Sequence, residues 1–173
     1  KSDQRGYGAQ VGSELINRFH EDEFIRNIGR RYLSKDLHCF FTLSGKTNAI
    51  SGNLGSGGGW HRDTMWHRQF KAILYLNDTS LDTGAFEYIE GSSTLRFYLK
   101  AHLSGLLGPG EHRFSDDKVD ELEKRFGLKR ITLAGSAGDL IIADTSGIHR
   151  GSPLKHGRRF SLTNYYFESS TIK

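Results

Sequence analysis

The sequence contains few of the residues that indicate a cross-linked or low-complexity chain. Among its 173 residues are one cysteine, two prolines and one methionine. The single thiol, Cys39, cannot form a disulfide within the chain, which agrees with a reducing, cytoplasmic compartment. Two prolines exclude a proline-rich linker, and no internal repeat is visible. A chain of this length suits one hydrophobic core, so we expect a single domain over residues 1–173.

Long hydrophobic runs and strong charge are also missing. Hydrophobic residues make up 36% of the chain, and no apolar run approaches the ~18 residues that span a bilayer. The first ten residues are polar and glycine-rich and do not read as a signal peptide. The net charge of +4 is too mild to favour nucleic-acid binding. We therefore expect a soluble protein with no membrane or nucleic-acid partner. Its substrate should be a small molecule. The positive net charge is compatible with an anionic substrate but does not require one.

Two periodicities divide the chain. From Gly12 to Leu33 apolar residues recur at three- and four-residue intervals, which predicts one or two amphipathic helices with Ser13 in the first turn. A second helical segment over residues 115–127 has an N-cap candidate, Ser115, and a glycine stop, Gly127. Elsewhere a two-residue period predicts at least seven strands: HCFFTLSG (38–45), TNAISGNLG (47–55), FKAILYLND (70–78), AFEYIEGS (85–92), RITLAG (130–135), GDLIIADT (138–145) and RRFSLTNYYF (158–167).

Many short strands without βαβ alternation predict a mainly β fold built from antiparallel strands, with N-terminal helices and one helical insert. A jelly roll is the best match among such architectures. Residues 102–114, HLSGLLGPGEHRF, are the most loop-like long segment, and a flexible lid is one use for them.

A His-x-Asp pair follows three consecutive glycines in the segment GGGWHRD (57–63). Residues i and i+2 of a strand share a face, so His61 and Asp63 would present an imidazole and a carboxylate together, with Trp60 and Arg62 facing the other way. A metal bound there needs at least one more neutral donor. His149 is the strongest candidate because it follows the strand GDLIIAD and a short loop.

Two histidines and one carboxylate form a facial set of ligands that leaves open positions on the metal. Such positions suit Fe(II), which must bind a co-substrate and dioxygen together. Zinc would more often be closed by four ligands or keep only one water.

The last predicted strand carries a second polar pattern. Arg159, Ser161, Thr163 and Tyr165 share one face of it, whereas Arg158 points to the opposite face. An arginine and a serine two residues apart offer a planar fork and a hydroxyl to one carboxylate. The pattern therefore indicates a dicarboxylic co-substrate.

In these motifs the sequence resembles the Fe(II)- and 2-oxoglutarate-dependent oxygenases, and among them the phytanoyl-CoA dioxygenase-like group. The resemblance covers about two thirds of the chain and lies in five segments: WHRD (60–63), ILYLND (73–78), TGAFEYIEGSS (83–93), GDLIIADTSGIHRG (138–151) and GRRFSLTNYYF (157–167).

The resemblance implies a double-stranded β-helix, the cupin-like form of the jelly roll. It also implies that His61, Asp63 and His149 bind Fe(II), that Arg159 binds the 2-oxoglutarate tail, and that Ser161 assists this arginine. The implied activity is that of a dioxygenase which hydroxylates a C–H bond of a small or carrier-linked metabolite while 2-oxoglutarate is decarboxylated to succinate. Related halogenases replace the acid by a small residue, so the retained Asp63 favours hydroxylation.

The glycines before the pair allow two interpretations. Gly57, Gly58 and Gly59 either let a loop pass close to the metal or the substrate, or form a flexible surface turn. No Gly-Lys-Ser/Thr follows them, which excludes a phosphate loop. Other candidates are weaker: Asn48 and Asn53 as contacts of the keto-acid end, and Trp66 with His67 as either substrate-mouth or structural residues.

An alternative function is that of a non-oxidative, cupin-like metal protein, an isomerase or a small-molecule binder. Arg159 and Ser161 argue against it, because a site without a dicarboxylic co-substrate has no need of a carboxylate anchor. A structural module with an inactive site would lack a ligand, and every ligand position is filled. The sequence identifies neither the primary substrate nor an oligomeric interface.

Overall fold

The computed structural model describes residues 2–63 and 68–168. These residues form ten strands: β1 (Asp3–Tyr7), β2 (Leu37–Asn48), β3 (Trp60–His61), β4 (Phe70–Tyr75), β5 (Phe86–Glu90), β6 (Arg113–Phe114), β7 (Lys129–Leu133), β8 (Leu140–Asp144), β9 (His149–Gly151) and β10 (Arg158–Glu168). They also form four α-helices: α1 (Glu14–His20), α2 (Glu23–Tyr32), α3 (Leu95–Leu103) and α4 (Asp116–Phe126). Short 3-10 turns lie at Ala9–Gly12 and Leu81–Thr83.

The strands form two antiparallel sheets of five strands each. The first sheet has the order β1-β2-β10-β4-β8, and the second has the order β6-β3-β9-β5-β7. Tyr75 joins the two sheets, because its hydroxyl donates to the carbonyl of Leu133 and accepts from the backbone N–H of Phe86, both at 2.8 Å. The predicted mainly β, double-stranded β-helix fold is confirmed.

Side chains on the inner and outer faces of the sheets differ in character. Between the sheets a small apolar cluster contains Ile73, Tyr75, Phe86 and Ile141. On the outer face of the first sheet, α1 and α2 pack against Phe70, Ala72 and Tyr166. On the outer face of the second sheet, a larger cluster joins the sheet to α3 and α4: Trp60, Ile89, Phe97, Ala101, Val119, Leu122 and Ile148. Most of the apolar core therefore lies outside the sandwich, which leaves part of its interior free for polar groups.

Strand β10 shows this division most clearly. Its odd-numbered residues Arg159, Ser161, Thr163 and Tyr165 line the cavity between the sheets, whereas Asn164 and Tyr166 point toward the helices. The amide of Asn164 donates to the carbonyl of Phe19 in α1. The strict two-residue alternation of a strand produces this separation.

The helix ends agree with the sequence prediction. The hydroxyl of Ser13 accepts from the backbone N–H of Ile16 at the start of α1, and that of Ser115 accepts from Lys118 at the start of α4. Helix α4 ends at Gly127, whose φ of 64° is the left-handed conformation that glycine adopts most easily.

The short strands β6 and β9 are not among the predicted strands, and three further elements differ from the prediction. In the predicted strand 47–55 only Thr47 and Asn48 are extended, because Gly52 and Gly55 adopt positive φ and turn the chain. Strand β1 was not predicted because its residues are polar. Helix α3 was not predicted either, although Thr94 caps it, and its last turn begins the segment 102–114 that we expected to be a loop.

No helix among the described residues is both long and apolar enough to cross a membrane.

Candidate metal centre

A polar cavity of about 140 Å³ lies between the two sheets. The first sheet lines it with alternate residues of β1, β2, β4 and β10, and the second sheet lines it with His61, His149 and Phe86. The glycine loop before β3 closes one side through Ser56 and Gly57. Each predicted site residue lines this one cavity: His61, Asp63, His149, Arg159 and Ser161.

The two histidines are brought together by strand pairing. His61 in β3 is the direct cross-strand partner of His149 in β9, and the ring centroids are 4.3 Å apart. Asp63 reaches between them: its Oδ1 is 3.7 Å from His61 Nε2 and its Oδ2 is 3.6 Å from His149 Nε2. One donor atom from each of the three residues lies within 4.8 Å of the other two.

The sequence predicted Asp63 on the same strand as His61, but in the structure Asp63 lies beyond the end of that strand. Strand β3 ends at His61, and the backbone N–H of Asp63 donates to the carbonyl of Thr145 at 3.0 Å. The carboxylate is therefore positioned by the loop after β8 rather than by strand geometry. Trp60 and Arg62 do face away from the cavity, since both are buried on the side of α3 and α4.

Backbone carbonyls orient both imidazoles. The Nδ1 atom of His61 lies 2.9 Å from the carbonyl of Gly59, and that of His149 lies 2.9 Å from the carbonyl of Gly147. When each Nδ1 carries the proton, each Nε2 presents its lone pair toward Asp63. Metal-binding histidines are commonly fixed in this way.

The protonation states of these three side chains also favour binding of a cation. Burial lowers the pKa of His149 to about 3 and also lowers the pKa of His61. Burial alone would raise the pKa of Asp63, but the ammonium of Lys71, together with His149 and hydrogen bonds from Lys71 and Thr145, holds it well below its ordinary value. At neutral pH the site consists of two neutral imidazoles and one carboxylate, which is the deprotonated form that divalent metals require.

The glycine loop passes against one of the imidazoles. Gly57 has a φ of +89°, and a Cβ placed there would lie 2.2 Å from Cε1 of His61. A Cβ on Gly55, with a φ of +78°, would lie 2.0 Å from the carbonyl oxygen of Gly151. Of the two interpretations of these glycines, close approach to the site is the one that the structure supports.

Arg159 lies deep in the same cavity. Its side chain is buried, and its Nη1 donates to the carbonyl of Gly84 at 2.6 Å. Its buried Nε has no hydrogen-bond partner within the described residues. Ser161 lies on the same face of β10, whereas Arg158 is exposed. An unsatisfied buried guanidinium N–H is costly and suits an anionic ligand.

The weaker candidates are not at the site. Asn53 uses its amide within the loop, donating to the carbonyls of Ile50 and Leu154 and accepting from the N–H of Leu154. Asn48 does not line the cavity among the described residues. Neither residue lines the cavity, so the structure gives no support to a contact between these two and a keto acid. Trp66 and His67 lie outside the described residues.

Sequence analysis missed Lys71. This lysine occupies an inward position of β4, is 4% exposed, and donates from Nζ to Asp63 Oδ2 at 2.6 Å. Its signal was present in FKAILY, where a lysine interrupts an otherwise apolar buried strand. Lysine is almost never fully buried without a specific partner.

Behind the two histidines lies a group that we call the outer brace, formed by Trp60, Glu87, Asp116 and Arg150. The Arg150 guanidinium stacks 4.3 Å from the Trp60 ring and donates to Glu87 at 2.7 Å and to Asp116 at 2.6 Å. The indole N–H of Trp60 donates to the same oxygen of Asp116 at 2.9 Å. Because Trp60 precedes His61 and Arg150 follows His149, the brace fixes both histidines from the far side of the sheet.

No family model matches the sequence, and no curated protein matches it significantly. Solved structures match nearly the whole chain. The epimerase SnoN, in complex with Fe3+, alpha ketoglutarate and nogalamycin RO, matches 97% of this chain with a TM-score of 0.68 and 17% identity. EctD from S. alaskensis with bound Fe matches 96%, with a TM-score of 0.68 and 17% identity. HygX from Streptomyces hygroscopicus, with nickel and 2-oxoglutarate bound, matches 98%, with a TM-score of 0.63 and 18% identity.

This chain has the fold of those enzymes. At such low identity the likeness concerns the fold alone. The chain spans 64% of the length of SnoN, 57% of EctD and 71% of HygX. The match therefore covers nearly all of this chain but only part of each larger protein.

The outer brace should control metal affinity without touching the metal. Replacing Arg150→Met removes its bonds to Glu87 and Asp116 and lets β9 shift relative to β3, so Ni(II) should bind about 10-fold more weakly in calorimetric titration. Arg130→Met is the matched control, because Arg130 stacks on the same indole at 5.0 Å but is not adjacent to either histidine. Equal affinities in the two variants would contradict the role of the brace.

The metal-free protein should lose stability on mild acidification. The pKa of His149 is lowered to about 3 in the folded state, so between about pH 6.5 and 3 the unfolded chain binds a proton that the folded chain excludes. The free energy of unfolding should fall by about 2 kcal/mol from pH 7 to pH 5 at this residue, at ~1.4 kcal/mol per pH unit. Urea denaturation at several pH values measures it. The His149→Gln variant should show a flatter profile, and an unchanged slope would rule out His149 as the source.

Proposed function

We propose that the protein is an Fe(II)- and 2-oxoglutarate-dependent dioxygenase that hydroxylates a small molecule. One observation carries the proposal: the His61–Asp63–His149 cluster and the buried side chain of Arg159 line the same cavity. The fold supports it, because SnoN and HygX were solved with 2-oxoglutarate and a metal in this same architecture.

The donor set fits a ferrous ion. Two imidazoles and one carboxylate occupy one side of a cation, so positions remain open toward the cavity for a chelating keto acid and for dioxygen. The three donor atoms already lie close enough to share one ion, and neither imidazole has to lose a proton to do so.

Arg159 and Ser161 fit the far carboxylate of 2-oxoglutarate. Burial leaves the guanidinium without solvent, and the carbonyl of Gly84 accepts from only one of its nitrogens. A carboxylate beside Ser161 would accept from the remaining N–H groups and from the hydroxyl, in the forked geometry that arginine favours. The cavity's acidic residues within the described chain are Asp3 and Asp63. Asp3 is already paired with the arginine of β1, and Asp63 belongs to the metal cluster, so neither accepts a hydrogen bond from Arg159 among the bonds of the described residues.

Iron and 2-oxoglutarate, when bound, would supply the oxidation of a C–H bond, with conversion of 2-oxoglutarate to succinate and carbon dioxide. The residues of the chain would bind the metal and the substrates, orient them, and exclude water from the site. His149 is 4% exposed and its ring lies 5.4 Å from that of Phe86, so one wall of the site is dry. We favour hydroxylation over halogenation because Asp63 retains the carboxylate ligand.

Proteins with a related fold carry out reactions other than hydroxylation, since SnoN is an epimerase and SnoK a carbocyclase. Both are alpha ketoglutarate dependent, so the choice among outcomes depends on where the substrate lies. The non-oxidative alternative is less favoured because it provides no anionic ligand for the buried Arg159 guanidinium.

Removing a histidine should abolish metal binding and turnover together. In His149→Ala, the anaerobic protein should fail to bind Fe(II), and decarboxylation of labelled 2-oxoglutarate should fall to background. His156→Ala provides a histidine control, because His156 is exposed and does not line the cavity. Full activity in His149→Ala would exclude this residue as a ligand.

Replacing Arg159 should separate the two binding steps. Arg159→Gln removes charge-assisted hydrogen bonds worth ~1.5–3 kcal/mol, so the Kd of 2-oxoglutarate should rise about 10- to 100-fold while Fe(II) still binds. Calorimetric titration of 2-oxoglutarate into the anaerobic Fe(II) protein measures this step. The neighbouring Arg158→Gln is the matched control, and an equal loss in both variants would refute the assignment.

A further inference from the structure

The cavity holds more positive charge than the metal and co-substrate require. Its described lining contains four basic residues, Arg5, Lys71, Arg113 and Arg159, against two acidic ones, Asp3 and Asp63. A divalent cation would add two positive charges, and dianionic 2-oxoglutarate would cancel two. A positive excess therefore remains in the occupied site.

Lys71 is the buried part of this excess. Arg5 is already paired with Asp3, at 2.7 and 3.0 Å, and the exposed Arg113 donates to the carbonyls of Gly57 and Gly58. The ammonium of Lys71, by contrast, is paired with Asp63, whose charge the metal would share. A buried ammonium with a partly used counter-charge is unfavourable unless another anion approaches it.

The co-substrate would lie on the other side of the metal. Arg159 and Tyr165 are six residues apart on one face of β10, which corresponds to about 20 Å along a strand. Lys71 is the cross-strand partner of Tyr165, and its Nζ lies 4.0 Å from the centre of the Tyr165 ring. A keto acid that extends from the metal toward Arg159 therefore runs away from Lys71.

An aromatic strip leads from Lys71 to the surface, formed by Tyr165, Phe41 and Tyr7. The rings of Tyr165 and Phe41 stack with centroids 4.5 Å apart, and Phe41 lies 5.7 Å from Tyr7. All three side chains belong to the cavity face of the first sheet, as their register shows. Tyr7 is 68% exposed, so the strip forms an open apolar floor beside a buried positive charge.

We propose that the Lys71 ammonium binds an anionic group of the primary substrate, whose apolar or planar body lies on the aromatic strip. The substrate class is thus a small organic anion, with a carboxylate or a phosphate at the end nearest the metal. The inference rests on the proposed function, because it assigns the part of the site that 2-oxoglutarate leaves free.

The test uses the full chain loaded with Ni(II) and saturated with 2-oxoglutarate, so that no turnover occurs. Benzoate, its neutral twin benzamide and inorganic phosphate are titrated separately by calorimetry. We expect benzoate or phosphate to bind and benzamide to bind at least tenfold more weakly than benzoate. The preferred anion identifies the acidic group. Equal binding of benzoate and benzamide together with no binding of phosphate, or no binding of either anion, overturns the proposal.

Variants then locate the site. Lys71→Met should weaken anion binding at least tenfold, Lys71→Arg should retain most of it, and Lys46→Met, on the outer face of β2 in the same sheet, should change nothing. Should Lys71→Met fail to fold by circular dichroism, the comparison of benzoate with benzamide on the wild-type chain and on Lys71→Arg decides the matter.

Affinities for Ni(II) and for 2-oxoglutarate are measured on the same variants. Because the Lys71 ammonium donates to Asp63, Lys71→Met should itself alter Ni(II) affinity, so anion binding is compared in protein saturated with Ni(II). The proposal requires the affinity for 2-oxoglutarate to change less than threefold in Lys71→Met; a tenfold loss would make Lys71 a co-substrate contact and overturn the inference. If the wild-type chain binds neither Ni(II) nor 2-oxoglutarate, the proposed function itself fails.

Discussion

The direct pairing of His61 with His149 across β3 and β9 is the constraint on which the site depends. Neither strand is long, and their shared ladder consists of this one pair. The histidines are 88 positions apart in the chain, so only the closure of the second sheet can bring them together. Once they are paired, the short segment after His61 returns Asp63 to the same point. A register shift of one residue would turn one imidazole to the opposite face of the sheet.

Such a short ladder needs support from its surroundings. On the outer side the brace of Trp60, Glu87, Asp116 and Arg150 joins β3, β5, β9 and α4 through charge-assisted hydrogen bonds and ring stacking. On the inner side the backbone at Gly57 presses against the imidazole of His61. The apolar clusters lie mainly outside the sandwich, which permits an interior rich in charge. Preorganisation of this kind is what a metal site requires, because loosely held ligands bind weakly.

The sequence predicts the parts of the site that follow from strand alternation. The face formed by Arg159, Ser161, Thr163 and Tyr165 is legible because a two-residue period needs no tertiary information. The candidate ligands are legible by residue type and order. Asp63 is placed instead by a backbone hydrogen bond to Thr145, which no local pattern reveals. Strand β1 and Lys71 escape prediction for a related reason: polar side chains that face a charged cavity resemble those that face water.

The central claim is that one ferrous-type ion is held by three side chains while Arg159 holds the organic acid that shares it. A crystal structure of the chain grown anaerobically with Ni(II) and 2-oxoglutarate tests this most directly. The account predicts an anomalous metal peak bonded to His61, Asp63 and His149, with the far carboxylate of 2-oxoglutarate on Arg159 and Ser161. A metal bound elsewhere, or a keto acid whose far end lies away from Arg159, would contradict it.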